Sequence, residues 1–308
     1  MDIGPMPTSD TRFKRRARML QAWYRVAVAR QLDCGPWSPG EQIVGSSLVD
    51  GRSSKANFIS QVAFDYAVER VADKAKLKEL TIEEDRLFNN MLSSQPMCFN
   101  LFTDIRQSIR DGNHNGIAVV NAMFGGEPVS AADITVEHIP VPLSKYIGDK
   151  TAFDAALECM TTDGRKRLIA VETKYTDHLG KNKAAKTGRK HELALRIFTP
   201  EAVTEFQRKG YDQMARNLLL TYDYATQHGF EIATNVVMAL ADDQEAIDAV
   251  DRARRLLRPE FRDLVAWLPL EEAVRRGSGA AGPELAAHFA RFKQRYLDFS
   301  QIAHLLHS

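Results

Sequence analysis

The chain has 308 residues, 44% of them apolar, which is enough to bury one large core or two modest ones and excludes a disordered protein. Lysine plus arginine (41) nearly cancels aspartate plus glutamate (40), so any affinity for nucleic acid must come from local charge clusters rather than from net charge. Cys34, Cys98 and Cys159 are far apart, odd in number and free of CxxC spacing, which argues against a disulfide framework and against a zinc site.

From Ser9 to about Leu32, the residues Phe13, Ala17, Leu20, Tyr24 and Ala27 recur at three- and four-residue intervals. This predicts an amphipathic helix, N-capped by Ser9 or Asp10, with a basic outer face. Arg12, Lys14, Arg15, Arg16 and Arg18 lead this segment with no apolar signal core behind them, and no run of about 18 apolar residues follows. A cytoplasmic protein with no membrane partner is expected. Cys34 to Gly40 ends the first helix, a second is predicted from about Lys55 to Leu80, and a third from Ile82 to Leu92. Ser93 to Phe102 leads into another short helix, broken by Gly and Asn at 112–116, and irregular strands are expected from Ile117 to Val141.

The apolar runs Phe153–Met160 and Arg167–Tyr175 flank an Asp163-Gly164 turn and predict a β-hairpin. A mobile basic loop is expected over 176–192, holding Lys181, Lys183, Lys186, Arg189 and Lys190. A helix at about 200–227, a strand at 231–240, a helix at 243–257, a strand at 264–269 and a final helix from 283 to 306 complete the pattern. Strands and helices alternate in this half, so the fold class is α/β with a helical N-terminal portion, and the division falls near residue 110.

A chain of this size yields about one acid-x-Lys triplet by chance. Here the single instance, Glu172-Thr173-Lys174, ends the apolar strand Leu168-Ile169-Ala170-Val171. Residues two apart on a strand share a face, so Glu172 and Lys174 lie side by side while Val171 and Thr173 face away. Asp154 lies on the partner strand. A four-residue loop sets it opposite Thr173, whereas a three-residue loop or a bulge sets it opposite Glu172 or Lys174. Two acids and an ammonium together are the parts that phosphodiester hydrolysis needs: oxygen ligands for a hard cation, and a positive charge for the attacking water or the developing charge. The competing reading is an ordinary Glu–Lys pair at a strand edge, with Asp154 a solvated charge.

Phe153-Asp154-Ala155-Ala156, followed after a hairpin by Ala170-Val171-Glu172-Thr173-Lys174-Tyr175, resembles the acid-then-ExK signature of PD-(D/E)XK, or restriction-endonuclease-like, nucleases. Ser93–Phe102 and Tyr211–Leu219 are similar to features of a bacterial branch of such proteins. The resemblance implies a mixed sheet flanked by helices, with residues 111–308 as the nuclease core and 1–110 as a helical region packed on it. It implies Mg²⁺ or Mn²⁺ held by Asp154 and Glu172, with Lys174 assisting the nucleophilic water. A further acid on a preceding helix is a frequent feature of the superfamily, for which Glu69 is the first candidate and Glu83 and Glu84 the next. Phe153 stands where the signature has proline. DNA is the substrate implied, in restriction or antiphage defence; RNA cleavage, or a binding subunit without turnover, are the alternatives. A protein partner in a defence system and a homo-oligomer are left open.

Gln213, Arg216 and Asn217 share one face of a predicted helix and are placed beside the metal or against a phosphate, with an exposed polar face as the alternative. The five basic loop residues are candidates to clamp the nucleic-acid backbone. His114, His138, His178 and His191 lack HxxxH or HxH spacing, which argues against a histidine metal site, and no GxxxxGK[ST] occurs, which argues against a kinase or motor.

Overall fold

Thr11, rather than Ser9 or Asp10, caps the first helix, α1 (Arg12–Ala27), by accepting the Lys14 N–H. Asp10 is diverted to an ion pair with the buried Arg18 at 2.5 Å. The computed structural model describes residues 1–37, 40–178 and 188–305. α2 (Gly51–Ser54) is a single turn. α3 (Gln61–Lys74) starts later than the periodicity suggests, because Lys55 takes a left-handed conformation (φ 58°) and Ser60 then caps through the Ala63 N–H. α4 (Glu84–Asn89) follows.

The segment expected only to lead into a helix is itself the start of a long one, α5 (Ser94–Arg110), capped by Ser93. Pro96 sits in its first turn, where its missing N–H costs nothing. Of the irregular strands expected over 117–141, Val129–His138 is a strand, while the first part is corrected to α6 (His114–Phe124), with Asn113 as cap. Its Gly116, Val119, Val120 and Met123 are buried at helical spacing, so packing overrides the β-preference of the valine pair. The helical portion thus runs past residue 110.

β1 (Val129–His138), β2 (Phe153–Thr161) and β3 (Lys166–Thr173) form an antiparallel meander. A three-residue loop, Thr162-Asp163-Gly164, closes the β2–β3 hairpin: Thr161 donates its N–H to the Arg165 carbonyl at 2.9 Å, and Gly164 supplies the positive φ of 86°. Ala155 pairs with Val171, so the next position in the register sets Asp154 level with Glu172.

The chain crosses over through α7 (Gly188–Ile197), α8 (Pro200–Lys209) and α9 (Gln213–His228) to β4 (Ile232–Ala239), parallel to β3. The single helix expected over 200–227 is two, because Gly210 (φ 82°) ends the first. α10 (Gln244–Leu256) leads to the parallel β5 (Val265–Pro269). α11 (Leu270–Ala280) and α12 (Pro283–Tyr296) close the fold. The final helix stops at Tyr296 rather than 306, and a 3₁₀ segment, Phe299–Leu305, follows it.

The sheet order is β1-β2-β3-β4-β5, buried on both faces. Ile169 and Val171 of β3 pack into a cluster shared with α3, α5, α6, α11 and α12. Leu168 and Ala170 pack into a second cluster with α7 to α10. The first cluster joins Ala17 of α1 to Tyr296 of α12, so the N-terminal helices share the core of the sheet. Tyr175, just beyond β3, ties the two chain ends together: its hydroxyl accepts from Gln21 of α1 (3.1 Å) and donates to the Tyr296 carbonyl (3.3 Å). No described helix is long and apolar enough to cross a membrane.

Candidate active site

The apolar face that β3 presents to α9 ends at Glu172, which is buried, and α9 meets it with two amides. Gln213 donates to Glu172 Oε1 and Asn217 to Oε2, each at 2.7 Å. They stand one turn apart, and Asp212 fixes that turn by capping α9 through the Ala215 N–H. Lys174 Nζ lies 2.5 Å from the same Oε1, with 8% of its side chain exposed. Burial works to lower the Lys174 pKa, but Glu172 and Asp154 more than offset it and hold the ammonium well above its ordinary value.

Asp154 sits across the splayed ends of β2 and β3. Its Oδ2 accepts from the Thr173 N–H (2.7 Å) and the Thr173 hydroxyl (2.9 Å), while Oδ1 carries no hydrogen bond from the described residues. The Cys98 thiol of α5 donates to the Asp154 carbonyl at 3.3 Å. Enclosure pushes the Asp154 carboxyl pKa up well above the usual range, Glu172 and Glu137 push the same way, and Lys174 offsets only part.

Two acids beside this pair went unnoticed in the sequence. Glu137, the last residue but one of β1, is in a left-handed conformation (φ 55°), is buried, and accepts from Gln95 Nε2 at 3.0 Å. Nothing local marks it, since Val136-Glu137-His138-Ile139 reads as an ordinary strand end. Asp177, three residues past Lys174, caps α5 through the Ser94 N–H (2.9 Å) and pairs with Arg86 (3.0 Å). It thereby anchors α5 to the loop leaving β3.

The helix-borne candidate is placed elsewhere. Glu69 is exposed on α3, and its neighbour Arg70 is the residue that turns inward, to the Val136 and Glu137 carbonyls (3.1 and 2.9 Å). Glu83 and Glu84 are also exposed. Arg216 is half-buried, with its Nε enclosed and unpartnered among the described residues. Of the basic loop, Lys181, Lys183 and Lys186 lie outside the described residues. Arg189 and Lys190 begin α7 rather than belonging to a loop: Arg189 pairs with the buried Asp223, and Lys190 is itself buried against Asp149 at 2.8 Å. Arg18 is likewise buried in an internal pair.

The strands β3, β4 and β5 run parallel, so their exits gather at one end of the sheet, the usual position for a ligand in open α/β sheets. There Lys174, Thr176, Asp177 and His178 face Asp242 to Ala246 and the start of α1 across a cavity of about 350 Å³. The donors beside it are hard oxygens suited to Mg²⁺ or Mn²⁺. Among the described residues no three His, Cys, Asp or Glu side chains already surround one point, so a cation would complete its shell with water and phosphate oxygens.

Comparison with known proteins returned no match among curated proteins and none among solved structures. A family model described as the PD-(D/E)XK nuclease superfamily matches residues 8–298. That span holds the five-stranded mixed sheet with its flanking helices and the Asp154, Glu172 and Lys174 cluster. This chain therefore belongs to the PD-(D/E)XK nuclease superfamily and carries its restriction-endonuclease-like α/β fold.

Proposed function

We propose that the protein is a divalent-metal-dependent endonuclease that hydrolyses DNA phosphodiesters, in the setting of restriction or antiphage defence. The observation that carries the reading is the Lys174 ammonium, 2.5 Å from the Glu172 carboxylate and facing the cavity at the strand exits, with Asp154 alongside. The family and its resemblance to restriction-endonuclease-like proteins support the biological setting.

The donor set fits a divalent cation. Asp154 and Glu172 are two acids beside one ammonium, and Asp154 Oδ1 has no donor of its own among the described residues. Asp154 and Glu172 would hold the ion, which when bound neutralises phosphate charge and acidifies water. Gln213 and Asn217 fix the angle at which Glu172 is presented, the task of outer groups around many metal centres. Lys174, kept protonated by both acids, donates rather than abstracts protons. It orients the attacking oxygen and stabilises charge developing on the phosphate.

Incubating supercoiled plasmid, single-stranded DNA and RNA with Mg²⁺, Mn²⁺ or EDTA tests this, comparing wild type with Lys174→Ala. We expect metal-dependent DNA cleavage, abolished by EDTA and about 10²–10³-fold slower in the variant. Cleavage in EDTA, or a fully active variant, would overturn the mechanism; cleavage of RNA alone would change the substrate.

A further inference from the structure

Trp37 is an indole left at the surface beside cations that answer no acid. It stands at the head of the hairpin that follows α1, where Pro36 bridges Ile43 and the Trp37 N–H donates to the Gln42 carbonyl at 2.7 Å, and 38% of the residue stays exposed. The Lys14 ammonium lies over its ring, 5.6 Å from the centroid, a contact that favours one orientation of the indole. Among the described residues no acid pairs with Arg12, Lys14 or Arg15, whereas Arg16 is taken by Asp242 and Arg18 by Asp10. The first turn of α1 carries no acid either, so the positive end of its dipole adds to these cations. Lys14 also lines the cavity at the strand exits, together with Lys174. The acids of that wall are each engaged already: Asp10, Asp177 and Asp242 by arginines, Glu245 by His178, and Asp243 by the Ala246 N–H. Thr176 of the same wall is 8% exposed, and its hydroxyl has no hydrogen-bond partner among the described residues.

We propose that Trp37 and the start of α1 form a platform for single-stranded DNA leading into the active site, with a nucleobase stacked on the indole and the adjoining phosphates on Arg12, Lys14 and Arg15. This rests on the reading of the cavity as a nuclease centre, and it narrows the substrate. In a duplex the base faces are closed by their neighbours, so an indole meets one only where the strand is unpaired. Stacking on an aromatic ring tolerates any sequence, because every base has a π-face, and clustered cations track the backbone. Lys14 touches both the ring and the cavity wall, so platform and cavity are one side chain apart. The Thr176 hydroxyl then offers a donor to a phosphate oxygen inside. The favoured substrate is DNA with an unpaired stretch beside the scissile phosphate, such as a frayed end, a gap or a flap.

The test is a fluorescence-anisotropy titration of an end-labelled DNA oligonucleotide, as a single strand or as a blunt duplex of the same sequence, in EDTA so that nothing is cut. Wild type is compared with Trp37→Ala, Trp37→Phe and a triple variant carrying Arg12→Gln, Lys14→Gln and Arg15→Gln. We expect Trp37→Ala to bind the single strand about tenfold more weakly and the duplex within about twofold of wild type, with an unchanged Tm. Trp37→Phe keeps a ring and recovers most of the loss. The triple variant binds the single strand more weakly, with a salt dependence flatter by about 0.7 per contact removed. Equal losses on both substrates in Trp37→Ala, or none on the single strand, overturn the inference; if wild type still cuts DNA with Mg²⁺, the nuclease reading stands. A wild type that neither binds nor cuts DNA overturns both. If Trp37→Ala melts early, Trp37→Leu, which keeps apolar bulk without a π-face, decides against Trp37→Phe, and equal binding by those two counts against the proposal.

Discussion

At Asp154, function and stability pull in opposite directions. In unfolded chain its carboxyl loses its proton near pH 4, whereas enclosure and the neighbouring acids keep the native group protonated to higher pH. Between the two values the native state binds more protons, so stability without metal falls as pH rises through that window. Asp154→Asn should abolish cleavage while leaving the metal-free Tm unchanged or raised, most visibly above neutral pH. A lower Tm in the variant would show that the carboxylate is structural. His138 has the opposite sign. Burial between Phe153 and Tyr224 lowers its pKa to about 4, against about 6.5 unfolded. The unfolded state takes up the proton first, so stability is lost as pH falls from 6.5 to about 4, by about 3 kcal/mol in all. Denaturant melts at pH 7 and pH 5 check this, and His138→Phe, which preserves the stacking, should flatten the difference.

Among the elements, α9 has the most direct hold on the site. Its first turns deliver Gln213 and Asn217 to the two oxygens of Glu172. Asn217→Ala leaves Oε2 without its donor, and we expect cleavage to fall about 10–100-fold with little change in substrate affinity. Steady-state kinetics separating kcat from KM check it; an effect confined to KM would place Asn217 in binding instead. The sharing of one face by 213 and 217 was legible from helical spacing, as was the hairpin from its Asp-Gly turn. The register was legible only as alternatives, because one residue of loop length decides which side chain stands opposite Asp154. Glu137 was not legible, since its inward turn depends on Arg70, 67 positions earlier in the chain. Lys190 was misread for a related reason: a lysine in a basic run is usually solvated, and only the distant Asp149 makes it a buried ion pair.

In the whole molecule, the chain ends are not appendages. Gln21 of α1 and the carbonyl of Tyr296 of α12 both engage the hydroxyl of Tyr175, the residue directly after Lys174. Tyr296 is in turn held by Asn100 of α5 at 2.8 Å. The strand end that presents Lys174 is therefore seated by groups contributed from three separate parts of the chain. α12 lies more than a hundred residues beyond Lys174, so a chain can carry every residue of the cluster and still lack the helix that helps to seat it. A chain released after residue 282 should bind nucleic acid no more tightly than a scrambled control and fail to cut it, although Asp154, Glu172 and Lys174 are all present. Cleavage by that fragment would show that Tyr175 needs no partner. Loss of α12 thus acts on the cluster through packing alone, with every charged group of the cluster still in the chain.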